Sequence, residues 1–172
     1  MASKALFITL KELKENSIID GNLDPDKLIQ FVKAAQDTHI QNYLGGKLYQ
    51  KIQDLLIDGE MDNAENSDYK TLWIDYVKPM LIWYSQADFI PFAPYQITNG
   101  GVYKHKPENS EMIEKSELSM LISRATDKAD FYSRRFIDYM DFHSHLYPEY
   151  NSTTNGEMYP DKEVNFYSFY LG

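Results

Sequence analysis

The chain has 172 residues, 43% hydrophobic and 25% charged, enough for one ordinary domain with a hydrophobic core and too few for two. Its 17 Lys and Arg stand against 26 Asp and Glu, a formal charge of -9, which disfavours generic binding of nucleic-acid phosphates by counterion release. The absence of Cys excludes a disulfide scaffold, a thiolate metal site and a cysteine nucleophile, and no apolar run approaches the roughly 18 residues of a membrane helix.

The opening residues, Met1 to Phe7, lack the apolar core of a secretory signal, so the expectation is a soluble, acidic domain that folds inside the cell. Aromatic residues make up 15% of the chain, with 14 Tyr, a composition suited to a protein in contact with other chains. Thr9-Leu10-Lys11-Glu12 fits a capping box and predicts a short helix over 10–16. Asp24-Pro25 then offers an N-cap carboxylate followed by a proline whose missing N–H costs nothing. Leu28, Val32, Ala35, His39 and Tyr43 recur at helical spacing until Gly45-Gly46 stops that helix.

A third helix is predicted over 47–57, with Leu48, Ile52, Leu55 and Leu56 on one face, and the polar stretch from Asp58-Gly59 to Ser67 reads as a loop. The fourth is the most strongly patterned, since Tyr69, Leu72, Trp73, Tyr76, Val77, Met80, Leu81, Tyr84 and Ala87 keep to one helical face. Pro79 within it predicts a kink, because it lacks an N–H and crowds the carbonyl of Asp75. After a proline-fixed exit at Phe89 to Pro94, Asn99-Gly100-Gly101 between two β-prone runs predicts a hairpin.

The longest helix is expected over 110–145. Leu118, Ile122, Ala125, Ala129, Tyr132, Phe136, Tyr139 and His143 form a seam with a 3.5-residue period, the pattern of a helix packed lengthwise on a partner. Such a helix is roughly 50 Å long against a radius of gyration of about 16 Å for a chain of this size, so it is expected to bend, break or project. The tail differs in kind: Asn151 to Gly156 reads as a linker, and Val164 to Leu171 as a strand-like aromatic end. The expected fold is mainly α. A helical bundle over 1–147, with a small inserted β-hairpin near 95–106, is followed over 148–172 by a linker and an extended aromatic C-terminal arm.

A search for chemistry finds little. Asp20, Asn22 and Asp24 copy the start of a calcium loop, but Pro25 takes the glycine position and Phe31 the closing carboxylate position, so a helix cap is the better reading. Asp58, Glu60 and Asp62 fail in the same way at Tyr69. His143 and His145 point to different helix faces and cannot share a metal, while Asp141 and His145 are spaced for a surface ion pair. His39 reads as a hydrogen-bonded core residue. Arg124, Lys128 and Arg135 share one face of the long helix, a solvated face or a match for an acidic partner. No catalytic, metal or cofactor-binding residues are assigned, and the expectation is a binding or assembly protein, not an enzyme.

The runs Ile19-Asp20-Gly21-Asn22-Leu23-Asp24, Ala35-Gln36-Asp37, Leu44-Gly45-Gly46-Lys47-Leu48-Tyr49, Pro79-Met80-Leu81 and Ile97-Thr98-Asn99-Gly100-Gly101-Val102 occur in this order. Together they resemble the head–tail connector, or ring, proteins of crAss-like and related Bacteroidetes phages, over about 7–103. The resemblance implies a helical adaptor at the head–tail junction of the virion that binds the portal protein below the portal vertex. It would assemble with copies of itself into a ring, twelvefold like the portal, and meet further tail or ring proteins.

Double-stranded DNA would pass through that ring without specific binding, which suits an acidic wall. Assembly contacts are then expected from Asn99, Gly100, Gly101, Val102, Tyr103 and Lys104 in the hairpin, and from Phe166, Tyr167, Phe169 and Tyr170 in the tail. The tail folding back on its own core is the competing reading. Two other functions stay open: a soluble acidic helical binding or regulatory module with one protein partner, and a metal-dependent hydrolase built from scattered Asp and Glu.

Overall fold

A computed structural model describes residues 4–19, 24–98, 101–104, 114–152 and 158–164, and these are mainly helical. The chain enters as an extended segment whose Phe7 and Ile8 are buried. Helix α1 (Leu10–Glu15) starts at a reciprocal cap, Thr9 accepting from the Glu12 N–H and Glu12 accepting from the Thr9 N–H. Helix α2 (Pro25–Ala35) is capped by Asp24, whose side chain accepts from the Asp26 N–H, with Pro25 in the first turn.

Beyond Ala35 the helix does not simply run on to Gly45. A π-helical turn (Gln36–Ile40) leads into α3 (Gln41–Ile57), which turns a corner at Gly45, where φ is 73° and ψ is 165°. The expected stop is thus a break inside a continuing helical path. The stretch read as a loop holds Gly59 in the left-handed region (φ 70°) after the α3 cap and a 3-10 turn (Ala64–Asn66).

Helix α4 (Ser67–Leu72), a second π-helical turn (Trp73–Val77) and α5 (Lys78–Phe89) follow without interruption. Just ahead of Pro79, the Lys78 N–H donates to the Trp73 carbonyl, five residues back. The wider turn lies where the proline would otherwise crowd the preceding carbonyls, so the disturbance read from the sequence takes the form of a π turn. Strands β1 (Tyr95–Thr98) and β2 (Gly101–Lys104) pair antiparallel with Ile97 opposite Val102.

Helix α6 (Lys115–His143) is 29 residues long, capped by Glu114 with Glu117 reaching back. It lies antiparallel to the α4–α5 path: Tyr84 meets Ser133, Tyr76 stacks on Tyr139, and Tyr69 meets Tyr147 and Glu149. Its buried stripe is Ala125, Ala129, Ser133, Phe136 and Met140. The expected seam agrees at Ala125, Ala129 and Phe136 and diverges at Tyr132, Tyr139 and His143, which lie half-exposed on the flank. A helix of 3.6 residues per turn drifts by about 20° per heptad, so a strict 3.5-residue seam leaves the core within two heptads. From Lys115 through Arg124 no side chain is buried, and that end runs past the core.

A 3-10 turn (Ser144–Leu146) and helix α7 (Pro148–Asn151) close the bundle, with Tyr147 fully buried and Tyr150 nearly so. His145 therefore leaves the α-helical path, which breaks its spacing to Asp141, and the two form no ion pair among the described residues. The segment 158–164 returns to the α3 corner. There the Gly46 N–H donates to the Met158 carbonyl at 2.9 Å and the Asp161 N–H to the Asn42 carbonyl at 2.7 Å. As far as it is described, the polypeptide expected as linker and arm is packed on the body.

Candidate functional site

Three constructions stand out, two internal and one at the surface. The first holds the entering segment. The Gln36 side chain accepts from the Phe7 N–H at 2.7 Å and donates to the Ala5 carbonyl at 3.0 Å, while Gln53 accepts from the Ala5 N–H at 2.6 Å and donates to the same carbonyl at 2.8 Å. Trp73 Nε1 donates to the Phe7 carbonyl at 2.9 Å. Both glutamines are buried, so their amides satisfy backbone groups that would otherwise be desolvated without partners. Tyr49 joins them, donating to Asp37, and burial together with that neighbouring carboxylate pushes its hydroxyl up to about 12.

The second lies where the first π turn and the start of α3 meet α5 and α6. The Tyr84 hydroxyl is 3.2 Å from that of Tyr43 and 3.1 Å from Ser133 Oγ, and Ser133 in turn donates to the Ala129 carbonyl. His39, in the first π turn, stacks on the Tyr84 ring at 4.0 Å and places Nε2 3.3 Å from Asp88. Burial pushes Asp130 above the usual carboxylate range, with Asp127 adding to the effect and Arg134 opposing it. Ser133 is tied to Tyr84 and to a backbone carbonyl, so this is a packed polar seam that fixes the register of three helices.

The third is the outward face of α6. Met120, Phe131 and Phe142 are 55%, 54% and 79% exposed. They recur every eleven residues, which brings each within about 20° of the last and sets all three opposite the buried stripe. One flank of this ridge carries the exposed cations Arg124, Lys128 and Arg135, and the other the exposed carboxylates Asp127, Asp138 and Asp141 with Arg134 among them. Arg135 lies over the rings of Tyr76 and Tyr132, at 5.6 and 5.8 Å.

Beside it, Tyr76, Tyr139 and His143 stack in a column at 4.2 Å spacings, and the Tyr139 hydroxyl is 2.9 Å from that of Tyr147. Tyr147 donates to the Asp68 carbonyl, so the column is anchored in the core. Exposed Phe, Met and Arg beside half-buried Tyr is the composition of protein–protein contact surfaces, where large rigid side chains bury much area at small entropic cost.

An open groove of about 670 Å³ also runs between α3 and the returning segment, lined by Gln41, Lys47, Gln50, Lys51, Asp54 and Glu149 among others. Its lysines and carboxylates are mixed, so it favours neither anions nor cations.

The residues singled out from the sequence fall differently. Asn99, Gly100, Phe166, Tyr167, Phe169 and Tyr170 lie outside the described residues, and Gly101, Val102, Tyr103 and Lys104 are described only as the backbone of β2. Of the shared cationic face, Arg124, Lys128 and Arg135 do line one side of α6. The ridge itself is missed by seam counting, because apolar residues off the seam read as scatter; their eleven-residue recurrence is the signal that finds them.

Neither the curated proteins nor the solved structures contain a match to this chain. Residues 40–159, from the end of the first π turn to the returning segment, match the family DUF6712, described as a family of unknown function. That stretch takes in the whole of α6 and its outward ridge. With well over half its length matched, the chain belongs to the DUF6712 family.

Proposed function

We propose that this chain is a structural virion protein, a head–tail connector that binds the portal vertex and assembles into a ring around the DNA channel. One observation carries the reading: α6 buries one stripe in its own core and presents a second apolar ridge, flanked by charge, on the opposite side. A helix with two apolar sides is suited to contact with a second surface, and a ridge of this kind marks an interaction site more readily than it marks a solvated face. The resemblance of the motifs over 7–103 to phage ring proteins supplies the kind of assembly. In this reading the hairpin around 99–104 and the aromatic arm around 166–170 reach neighbouring subunits, the portal or the next tail protein. The net charge of -9 gives the channel a wall that does not retain DNA.

The test is the abundance of this chain relative to the portal protein in purified phage particles, by quantitative mass spectrometry. A ratio near one-to-one is the expected result. Absence from particles overturns the connector reading, and a one-to-one complex with a single soluble partner would establish an acidic binding module in its place.

A further inference from the structure

We propose that the occupant of the outward ridge of α6 is a second copy of this chain, seated through the acidic corner at 57–68. The inference rests on the assembly reading above and names its contact face.

Charge complementarity selects the occupant. Arg124 and Lys128 stand exposed beside the ridge, and neither has an ion-pair partner among the described residues. The corner between α3 and α4 has the opposite pattern. Ile57 is 47% exposed, and Asp58, Glu60, Asp62 and Glu65 around it are all exposed. Of these four, Asp62 alone has an ion-pair partner among the described residues, Lys70 at 2.7 Å. One surface is thus apolar with a cationic flank and the other apolar with an anionic rim. The far flank of the ridge holds the carboxylates Asp127, Asp138 and Asp141 with Arg134 among them, so it attracts the same corner less than the cationic flank does and biases which way round it docks.

The fold requires the contact to join different copies. Tyr147 donates to the Asp68 carbonyl and Tyr69 to Glu149, so the acidic corner leads into the bundle at the C-terminal end of α6. Arg124 and Lys128 lie toward the other end, with Arg124 separated from His143 by roughly 30 Å of helix. A corner at one pole that fits a ridge reaching the other pole makes a head-to-tail contact. Such contacts use two different patches and repeat until a ring closes or a filament grows.

The absence of native Cys makes the test direct. Arg124→Cys and Glu65→Cys are made singly and together, and helical circular dichroism confirms that each folds like the parent. The single variants are mixed and treated with a short bis-maleimide, both as concentrated protein and in particles grown with the variants. Covalent dimers only where both variants are present, and a ladder of higher species from the double variant, are the expected results. Dimers formed equally by Arg124→Cys alone would show a two-fold contact and overturn the proposal. No cross-link in particles that hold the chain at portal stoichiometry overturns the proposal and leaves the connector reading standing. Cross-links in solution with no chain in particles support the contact and overturn the connector reading, and failure of both measurements removes both.

Discussion

At Gln36 a single side-chain amide replaces what a neighbouring strand would supply, bonding the Phe7 N–H, the Ala5 carbonyl and the Tyr49 hydroxyl in a buried setting. In Gln36→Ala the Ala5 carbonyl keeps Gln53 and the Tyr49 hydroxyl keeps Asp37, but the Phe7 N–H loses its partner, and the cost of one unsatisfied buried polar group is about 1–3 kcal/mol. Urea unfolding of the variant against the parent measures it. Glu12 makes a case with a pH signature. Burial works to raise its carboxyl, but bonds from Lys78 and Thr9 outweigh burial and hold it below the ordinary value of 4.5.

A carboxyl depressed in the folded state contributes stability that is fully present above the unfolded value and disappears as pH falls through the folded one. Glu12→Gln is therefore less stable than the parent at neutral pH, and the gap closes as the solution is acidified below about pH 4.5. Thermal melts of both proteins across that range check it. The cap at Thr9 and Glu12 is legible in four adjacent letters. The partnership of Gln36 with Phe7 is not, because it joins an isolated polar letter to backbone groups far upstream.

At the scale of the element, α6 separates two kinds of aromatic residue that composition treats alike. Phe136 is fully buried and Phe142 is 79% exposed. Phe136→Ala is expected to cost about 3–5 kcal/mol, through lost burial and the cavity left behind. Phe142→Ser changes monomer stability by less than about 0.5 kcal/mol, since its ring leaves no cavity in the core. Guanidinium unfolding of the two variants provides the comparison.

The helix is readable because its apolar letters repeat over many turns, and the mainly helical class follows from such repeats in α2, α3 and α5 as well. Its flank is not, because a 3.5-residue count and a 3.6-residue helix part company over this length. The π turns escape any count of spacing, since the periodicity on either side of each is unchanged. Pro79 is the one visible trace of them.

Across the whole molecule, a charge of -9 makes copies repel at long range, while the cationic flank of α6 and the acidic corner attract at short range. In the assembly proposed above, such a chain is expected to stay dispersed until something concentrates it. Arg124→Glu with Lys128→Glu is expected to lower incorporation into particles at least tenfold, and Glu60→Lys with Glu65→Lys on the same chain to restore it. Quantitative mass spectrometry of particles reads both. The ridge leaves a trace in the sequence, the eleven-residue recurrence, but the polarity cannot be seen without the antiparallel path of α4–α5 along α6.

Gly45 occupies a conformation that side chains rarely adopt, and a Cβ there would lie 2.8 Å from the Pro160 ring. The corner and its plug come from opposite stretches of the chain, so they meet only once nearly everything between them has been made and folded. Closure of so long a loop belongs to the last stage of folding. Gly45→Ala is accordingly expected to speed unfolding while leaving the refolding rate unchanged, in stopped-flow measurements with denaturant. On the ribosome the same order holds: the corner at Gly45 waits for the segment 158–164, more than a hundred residues downstream, before its backbone partners are in place.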